Sequence, residues 1–340
     1  MTDLDPTSRQ HQVDPEIIDR NYADNAANVR ARFKVYELAD PYVNINKKAL
    51  DTLVNLGKLL TDSSVMDIGT ADANLLELLR FMYGHLGPFV GMDPNVNQFP
   101  NPEHLRFTKE DWEGFVEPTE ELSDDIDVPE TIQVVKASPV HLADNASLVK
   151  GRAHELGAFD NDSMDVLFAM FMLYHVPDEL REQAFHEFKR VLKPSGVFVE
   201  ATSGVDNKPA HRDFEEALAV ELGIKPPQHM NTGFTSEKAA IEIPTYFDHL
   251  YIFNQSARII VNNRRKLSIY LQSIRSLRDQ FDPVPAEAEF EEALIARILP
   301  IIINSMREQG HFKDEVRRSL GFGTNEPLNI PEEEGFIRVT

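Results

Sequence analysis

Val65-Met66-Asp67-Ile68-Gly69-Thr70-Ala71-Asp72-Ala73-Asn74-Leu75 is the stretch that decides the fold of this chain. An apolar run ends in an acid and turns through small residues. It then continues into Leu75, Leu76, Leu78, Leu79 and Met82 at helical spacing. That order predicts a buried strand, a tight turn and a helix. Phe89-Val90-Gly91-Met92-Asp93 follows, a second short apolar run that closes on an acid. A small-residue turn after a parallel strand lets a ligand approach the backbone and the N-terminus of the next helix. An acid at the tip of the neighbouring strand can hold both hydroxyls of a ribose. For the loop alone, an ordinary strand-turn-helix without a ligand stays open; Asp93 argues for a nucleoside-binding βα unit.

What the loop lacks narrows the ligand. A dinucleotide loop reads G-x-G-x-x-G, and here only Gly69 stands, followed by Ala71 and Ala73. No G-K-[ST] is present, which excludes a P-loop. Asp67 and Asp72 place negative charge in or beside the turn, a poor cradle for pyrophosphate. A cationic, phosphate-free nucleoside fits better, and S-adenosylmethionine is such a ligand. Alanine at the two later positions is tolerable in right-handed or extended backbone and fails only where φ must be positive.

Composition sets the outer bounds. The chain has 340 residues, 42 % of them hydrophobic, enough for one large or two modest domains. It has no cysteine, hence no disulfide framework, no thiolate metal site and no cysteine nucleophile. No run reaches the roughly 18 apolar residues of a membrane span. The polar start has no signal-peptide core, so a cytoplasmic protein is expected. A net charge of -22 repels phosphate backbones and disfavours nucleic acid as the main partner.

Outward from the opening stretch, residues 1–15 are expected to be disordered and 16–60 to form a helical cap. A helix is predicted from Pro15 to Ala39, and a second one carries Leu50, Leu53, Val54, Leu56, Leu59 and Leu60. Between Lys109 and Glu130 stand ten acids and no further base, which reads as a solvated acidic insertion over about 100–131. Ile132–Val135 is expected to be the third strand. Ser163-Met164-Asp165-Val166-Leu167-Phe168-Ala169-Met170 reads as a buried strand and Pro177–Leu192 as a helix. Lys193-Pro194-Ser195-Gly196 is a stop, and Val197–Ala201 the next strand. Later come a helix over Ala210–Leu222, another near Glu237, strands over Leu250–Phe253 and Arg258–Val261, and a helix over Leu267–Ile274. A long helix over Glu287–Gln309 and a closing strand at Gly335–Thr340 end the chain. Strands alternating with helices predict an α/β, doubly wound, mostly parallel sheet.

The series Asp67-x-Gly69, Asp93, Ser163-Met164-Asp165-Val166, Met172-Leu173-Tyr174-His175-Val176-Pro177-Asp178 and Arg190-Val191-Leu192-Lys193-Pro194-Ser195-Gly196 resembles class I S-adenosylmethionine-dependent methyltransferases of the small-molecule branch. The resemblance covers about residues 20 to 275. It implies a seven-stranded Rossmann-like methyltransferase fold over 61–340, with an N-terminal helical cap and extra C-terminal helices at about 264–320. It also implies cofactor contacts by Asp67, Gly69, Thr70, Ala71, Asp93, Pro94, Ala169 and Met170. Tyr22 and Arg32 would close the site from above. The acid that the family carries after the third strand is missing, and Ser138 is its substitute.

The cofactor implied is S-adenosyl-L-methionine and the partner a small-molecule methyl acceptor, such as a secondary metabolite. The protein is expected as a monomer or homodimer, with no metal. His211 is the preferred base, because it follows the fifth strand at the carboxyl edge where acceptors sit. His175 lies inside a family motif and reads more as a structural residue. The alternatives are an RNA or protein methyltransferase, for which Arg264-Arg265-Lys266 and Lys313 with Arg317-Arg318 are the basic clusters, and a non-catalytic binding module with a degraded loop.

Overall fold

A computed structural model describes residues 32–71, 73–94, 146–227, 233–331 and 334–339 of the chain. The expected disordered start, Tyr22, Asp72, the acidic insertion, the strand at Ile132–Val135 and Ser138 lie outside the described residues. In chain order the elements begin with β1 (Ala39–Asp40), α1 (Ile45–Asn55), β2 (Val65–Ile68), α2 (Asn74–Tyr83), β3 (Phe89–Asp93) and β4 (Ala146–Lys150). Next are β5 (Met164–Met170), α3 (Asp178–Val191), β6 (Leu192–Ser203), α4 (Pro209–Leu222) and α5 (Ser236–Glu242). The chain closes with β7 (His249–Val261), α6 (Arg264–Arg275), α7 (Glu287–Ala293), α8 (Leu299–Gln309), β8 (Phe312–Thr324) and β9 (Phe336–Val339).

Among the described residues one nine-stranded sheet runs β1-β7-β8-β6-β5-β2-β3-β4, with β9 also on β7. From β4 to β6 every pairing is parallel; β8 enters antiparallel between β6 and β7. The mostly parallel doubly wound sheet matches the expectation; β4 and β8 are not among the strands read from the sequence. Two strands are additions on one edge of β7: β1 beside Arg258 and Ile259, and β9 beside Leu250–Phe253. Every residue of β2 is buried, as a parallel strand covered on both faces requires.

Helices flank both faces. Leu50 and Leu53 of α1 and Leu75 and Leu79 of α2 pack with Val65, Val166 and Val199 on one. Ala184, Phe185 and Phe188 of α3 pack with Met66, Leu167 and Phe198 on the other. A third core lies past the carboxyl end of β6. There β7 and β8 run on as a two-stranded ribbon, because Ser203, the end of β6, pairs with Arg318 and β8 begins at Phe312. Val35, Phe214, Leu218, Tyr270, Phe290 and Phe312 fill that core.

Several boundaries differ from the sequence reading. Helix is held only to Lys34; a 3-10 turn over Val35–Leu38 and β1 replace the rest, since Ala39 and Asp40 join β7. Leu59 and Leu60 fall outside α1, which stops ahead of Gly57 at φ +63°. The two strands expected over 250–253 and 258–261 are one, β7. The helix over Glu287–Gln309 is continuous but widens to a π-helix at Leu294–Ile298, where Pro300 has no N–H to offer the preceding turn. The extra helices do not reach residue 320, nor are they C-terminal to the sheet: they lie between β7 and β8, and residues 312–324 are strand.

Candidate active site

The first loop is built around a close approach. Gly69 has φ +76°, and a Cβ on it would stand 2.7 Å from the Cβ of Met172. The N–H groups of Gly69 and Thr70 donate to the Met92 carbonyl at 2.7 and 3.1 Å, which ties the turn to β3. Ala71 donates its N–H to Oδ2 of Asp93 at 3.2 Å. Asp93 is thus held at the tip of β3, 8 % exposed, with the turn folded against it. Asp67 and Thr70 are buried in the same corner, and Oγ1 of Thr70 has no hydrogen-bond partner among the described residues.

Ala71 and Ala73 correct one expectation. Both have positive φ, +46° and +59°. Alanine therefore stands where the turn demands left-handed backbone, at about 1–2 kcal/mol each. Ala73 also caps α2 and supplies no side-chain acceptor, so the first amides of that helix lack a side-chain cap.

Ala169, fully buried, and Met170 end β5 beside the first strand, and the exposed Pro94 follows Asp93. Phe171, at φ +54°, turns the chain after β5 and packs its ring against Phe33 at 5.7 Å. Beside Phe33, Arg32 buries Nε and Nη2 without a hydrogen-bond partner among the described residues. Its charge reaches His175 and Glu215. The other motif residues are structural ties. Asp165 accepts from the Ser64 N–H and from Lys193, both at 2.8 Å. Arg190 clasps the carbonyls of Leu156 and Phe159.

The cap side of this corner holds groups that sequence reasoning missed. The Tyr36 ring lies under the Arg318 guanidinium at 4.1 Å and under the Lys208 ammonium at 5.1 Å. Its hydroxyl accepts from Asn207 Nδ2 at 2.9 Å. Burial would raise the phenol's pKa, but Lys208 and Arg318 outweigh it and bring it below the usual tyrosine value. Glu215 on α4 is buried, which pushes its carboxyl up to about 7 against the pull of Lys208, Arg212 and Arg32. Tyr36 was visible only as an apolar helical position. Glu215 carries no sequence signal.

The two histidines are not placed to serve as bases. His211 is 3 % exposed, with Nδ1 2.9 Å from Asp314 Oδ2 and Nε2 2.8 Å from Ser273 Oγ. Burial, with Lys208 beside it, lowers its pKa to about 4. Both ring nitrogens are engaged inside the cap core, so His211 cannot reach an acceptor without breaking that network. Asp314 completes it: the Ala210 and Glu315 N–H groups donate to Oδ1, the Tyr270 hydroxyl to Oδ2. His175 lies in a 3-10 turn with its ring edge-on to Tyr174 at 4.4 Å. Burial, reinforced by Arg32, lowers its pKa to about 3, too weak a base to take a hydroxyl proton.

Residues 126–199 match a family model described as a methyltransferase domain. No curated protein matches the chain. Among solved structures, the YcgJ protein of Bacillus subtilis is 14 % identical, with 82 % of this chain and 98 % of that one covered, at a TM-score of 0.41. A Haemonchus contortus phospholethanolamine N-methyltransferase, complexed with S-adenosylhomocysteine, is 14 % identical over 92 % of this chain and 61 % of its own, at 0.45. At these scores the likeness decides neither fold nor substrate. The match spans 74 of the chain's 340 residues and marks that segment as similar to a methyltransferase domain, with which the order of the parallel strands agrees. A methyltransferase domain implies a methyl donor and a methyl acceptor.

Proposed function

We propose that this chain transfers a methyl group to a small-molecule acceptor by direct displacement at the carboxyl edge of the sheet. The single observation that carries the reading is the corner made by Gly69, Met172 and Asp93. A glycine pressed against Met172 brings backbone to a ligand, and a carboxylate at the next strand tip suits a ribose. Bound there, the cofactor supplies a methyl group on a sulfonium. The chain's own residues position and enclose. Asp93 would accept from the ribose hydroxyls, and backbone at Gly69–Ala71, Ala169 and Met170 would line the ligand. Arg32, with two orphaned buried nitrogens, suits the cofactor's carboxylate. Holding the acceptor in line and excluding water supplies much of the rate, so the reaction needs no strong base for a neutral nitrogen or a carbanion acceptor. The small-molecule reading is supported by the net charge of -22, which disfavours nucleic acid.

The test is calorimetric titration with S-adenosylmethionine and S-adenosylhomocysteine, repeated on Asp93→Ala. Micromolar binding that the variant loses is the expected result. Absence of binding in the wild type would favour a second reading, a non-catalytic binding module. Alanine at two left-handed positions of the loop is the observation on that side.

A further inference from the structure

We propose that Arg318 and Lys208 form the binding site for an anionic oxygen group, carboxylate or phosphate, on the methyl acceptor. The inference rests on the methyltransferase reading and deepens it by naming a substrate class.

In a chain with 56 acids and 34 bases, a buried cation has acids to choose from. Arg181 shows the ordinary outcome: 2 % exposed, it pairs with Glu242 at 2.7 Å and Asp178 at 2.8 Å. Arg318 is 6 % exposed and pairs with no carboxylate among the described residues. Nε and Nη2 donate to Gln255 Oε1 at 2.9 and 2.5 Å, and Nη2 also to the Val43 carbonyl at 3.0 Å. All these acceptors are neutral, and Nη1 has no partner among the described residues. Lys208 is half-buried: its ammonium lies over Tyr36, forms no salt bridge among the described residues, and acts on the Glu215 carboxyl only through its charge. Lys208 is also held at φ +50°, left-handed backbone that a lysine seldom adopts, by its N–H to the Glu315 carbonyl at 2.8 Å.

Nearby acids are already committed. The Asp314 carboxylate takes His211 and Tyr270, and that of Glu315 takes Arg258 and Arg317. Glu215, raised to about 7, is only partly ionised near neutral pH. A buried charge without a counter-charge is costly, and a guanidinium fork fits a carboxylate or phosphate well. Position points to the acceptor rather than the cofactor. Arg318 lies 5.9 Å over Phe171, which directly follows the end of β5, and both cations lie over the Tyr36 ring, at 4.1 and 5.1 Å.

The experiment uses the full chain with two probes, benzoate and inorganic phosphate. Each is titrated calorimetrically at ionic strength matched with chloride, with and without saturating S-adenosylhomocysteine. Wild type, Arg318→Gln and Lys208→Met are compared, with near-ultraviolet circular dichroism to show that each is folded. Saturable binding of at least one anion is expected, weakened ~10-fold in Arg318→Gln and severalfold in Lys208→Met. The affinity for S-adenosylhomocysteine should stay within ~2-fold. No saturable anion binding in the wild type, or equal binding in a folded Lys208→Met, would overturn the inference. A parallel loss of S-adenosylhomocysteine in either variant would overturn it too, by giving the cations to the cofactor. If the wild type takes anions but no S-adenosylhomocysteine, the methyltransferase reading fails instead, and the acceptor assignment with it.

Discussion

Gly69 and Met172 touch where a side chain on the first would collide with the second. The missing Cβ of Gly69 would lie 2.7 Å from the Cβ of Met172, and φ at Gly69 is +76°. The first loop and the turn after β5 are thereby locked together. Gly69→Ala meets both an overlap and a left-handed backbone. A loss of ~2–4 kcal/mol in unfolding free energy is expected, together with loss of S-adenosylhomocysteine binding. Urea melts and calorimetry check this; a variant as stable as wild type would show that the contact yields easily.

Ala71 and Ala73 give the opposite prediction. Each carries an alanine at positive φ, which glycine adopts without strain. Ala73→Gly and Ala71→Gly are expected to stabilise by ~0.5–1 kcal/mol each, the relief of strain exceeding the added chain entropy. Thermal melts of the single and double variants test this, and a drop in midpoint would refute it.

Glu200 sets a pH dependence. It is fully buried on β6, with neither carboxylate oxygen bonded among the described residues and Oε1 against Gly321. Burial raises its pKa from 4.5 to about 8. The folded chain keeps the proton that the unfolded chain releases. The stability is therefore complete below pH 4.5, declines as pH rises through that window, and is lost above 8. Glu200→Gln removes the slope. Between pH 5 and 8 the melting midpoint of the variant should gain steadily on that of the wild type; a constant difference would mean that Glu200 is ionised throughout.

His211 acts in the other direction. Its folded pKa is lowered from 6.5 to about 4, so the unfolded chain takes up a proton first as pH falls. Stability is present above 6.5 and is lost as pH drops towards 4. His211→Gln should flatten that acid limb, and at neutral pH it should cost ~1–3 kcal/mol, because Asp314 loses one of its donors. Urea midpoints at several pH values decide. A variant that keeps full stability but loses methyl transfer would restore His211 as a catalytic candidate.

The cofactor half of the molecule was readable because its residues do one thing each. The runs at Val65, Phe89 and Met164 are apolar on both faces, and the first two carry an acid, Asp67 and Asp93, at or next to their carboxyl ends. The cap half mixes roles. The inward positions of β8 are Phe312, Asp314, Val316 and Arg318, so two charges break the alternation that announces a strand. The same two charges build the His211 network and the Tyr36 cluster, and what hid the strand is what makes it chemically interesting. His211 was misjudged because its position after the fifth strand is right, whereas its burial depends on β8, which the sequence did not announce.

The ribbon of β7 and β8 overhangs the end of β6 from residue 317 back to 312, roughly 20 Å at about 3.3 Å per residue. It works as a cantilever. The helices between its two strands, within residues 262–311, are carried on that beam as one insert, joined to the sheet by continuous backbone ladders rather than by hinges. The insert is separate in sequence from β2, β3 and β5, which end at Ile68, Asp93 and Met170. The load is not carried by the beam alone: Tyr270 and Ser273 of the insert tie back to Asp314 and His211, so a graft of the 262–311 segment must keep those two side chains.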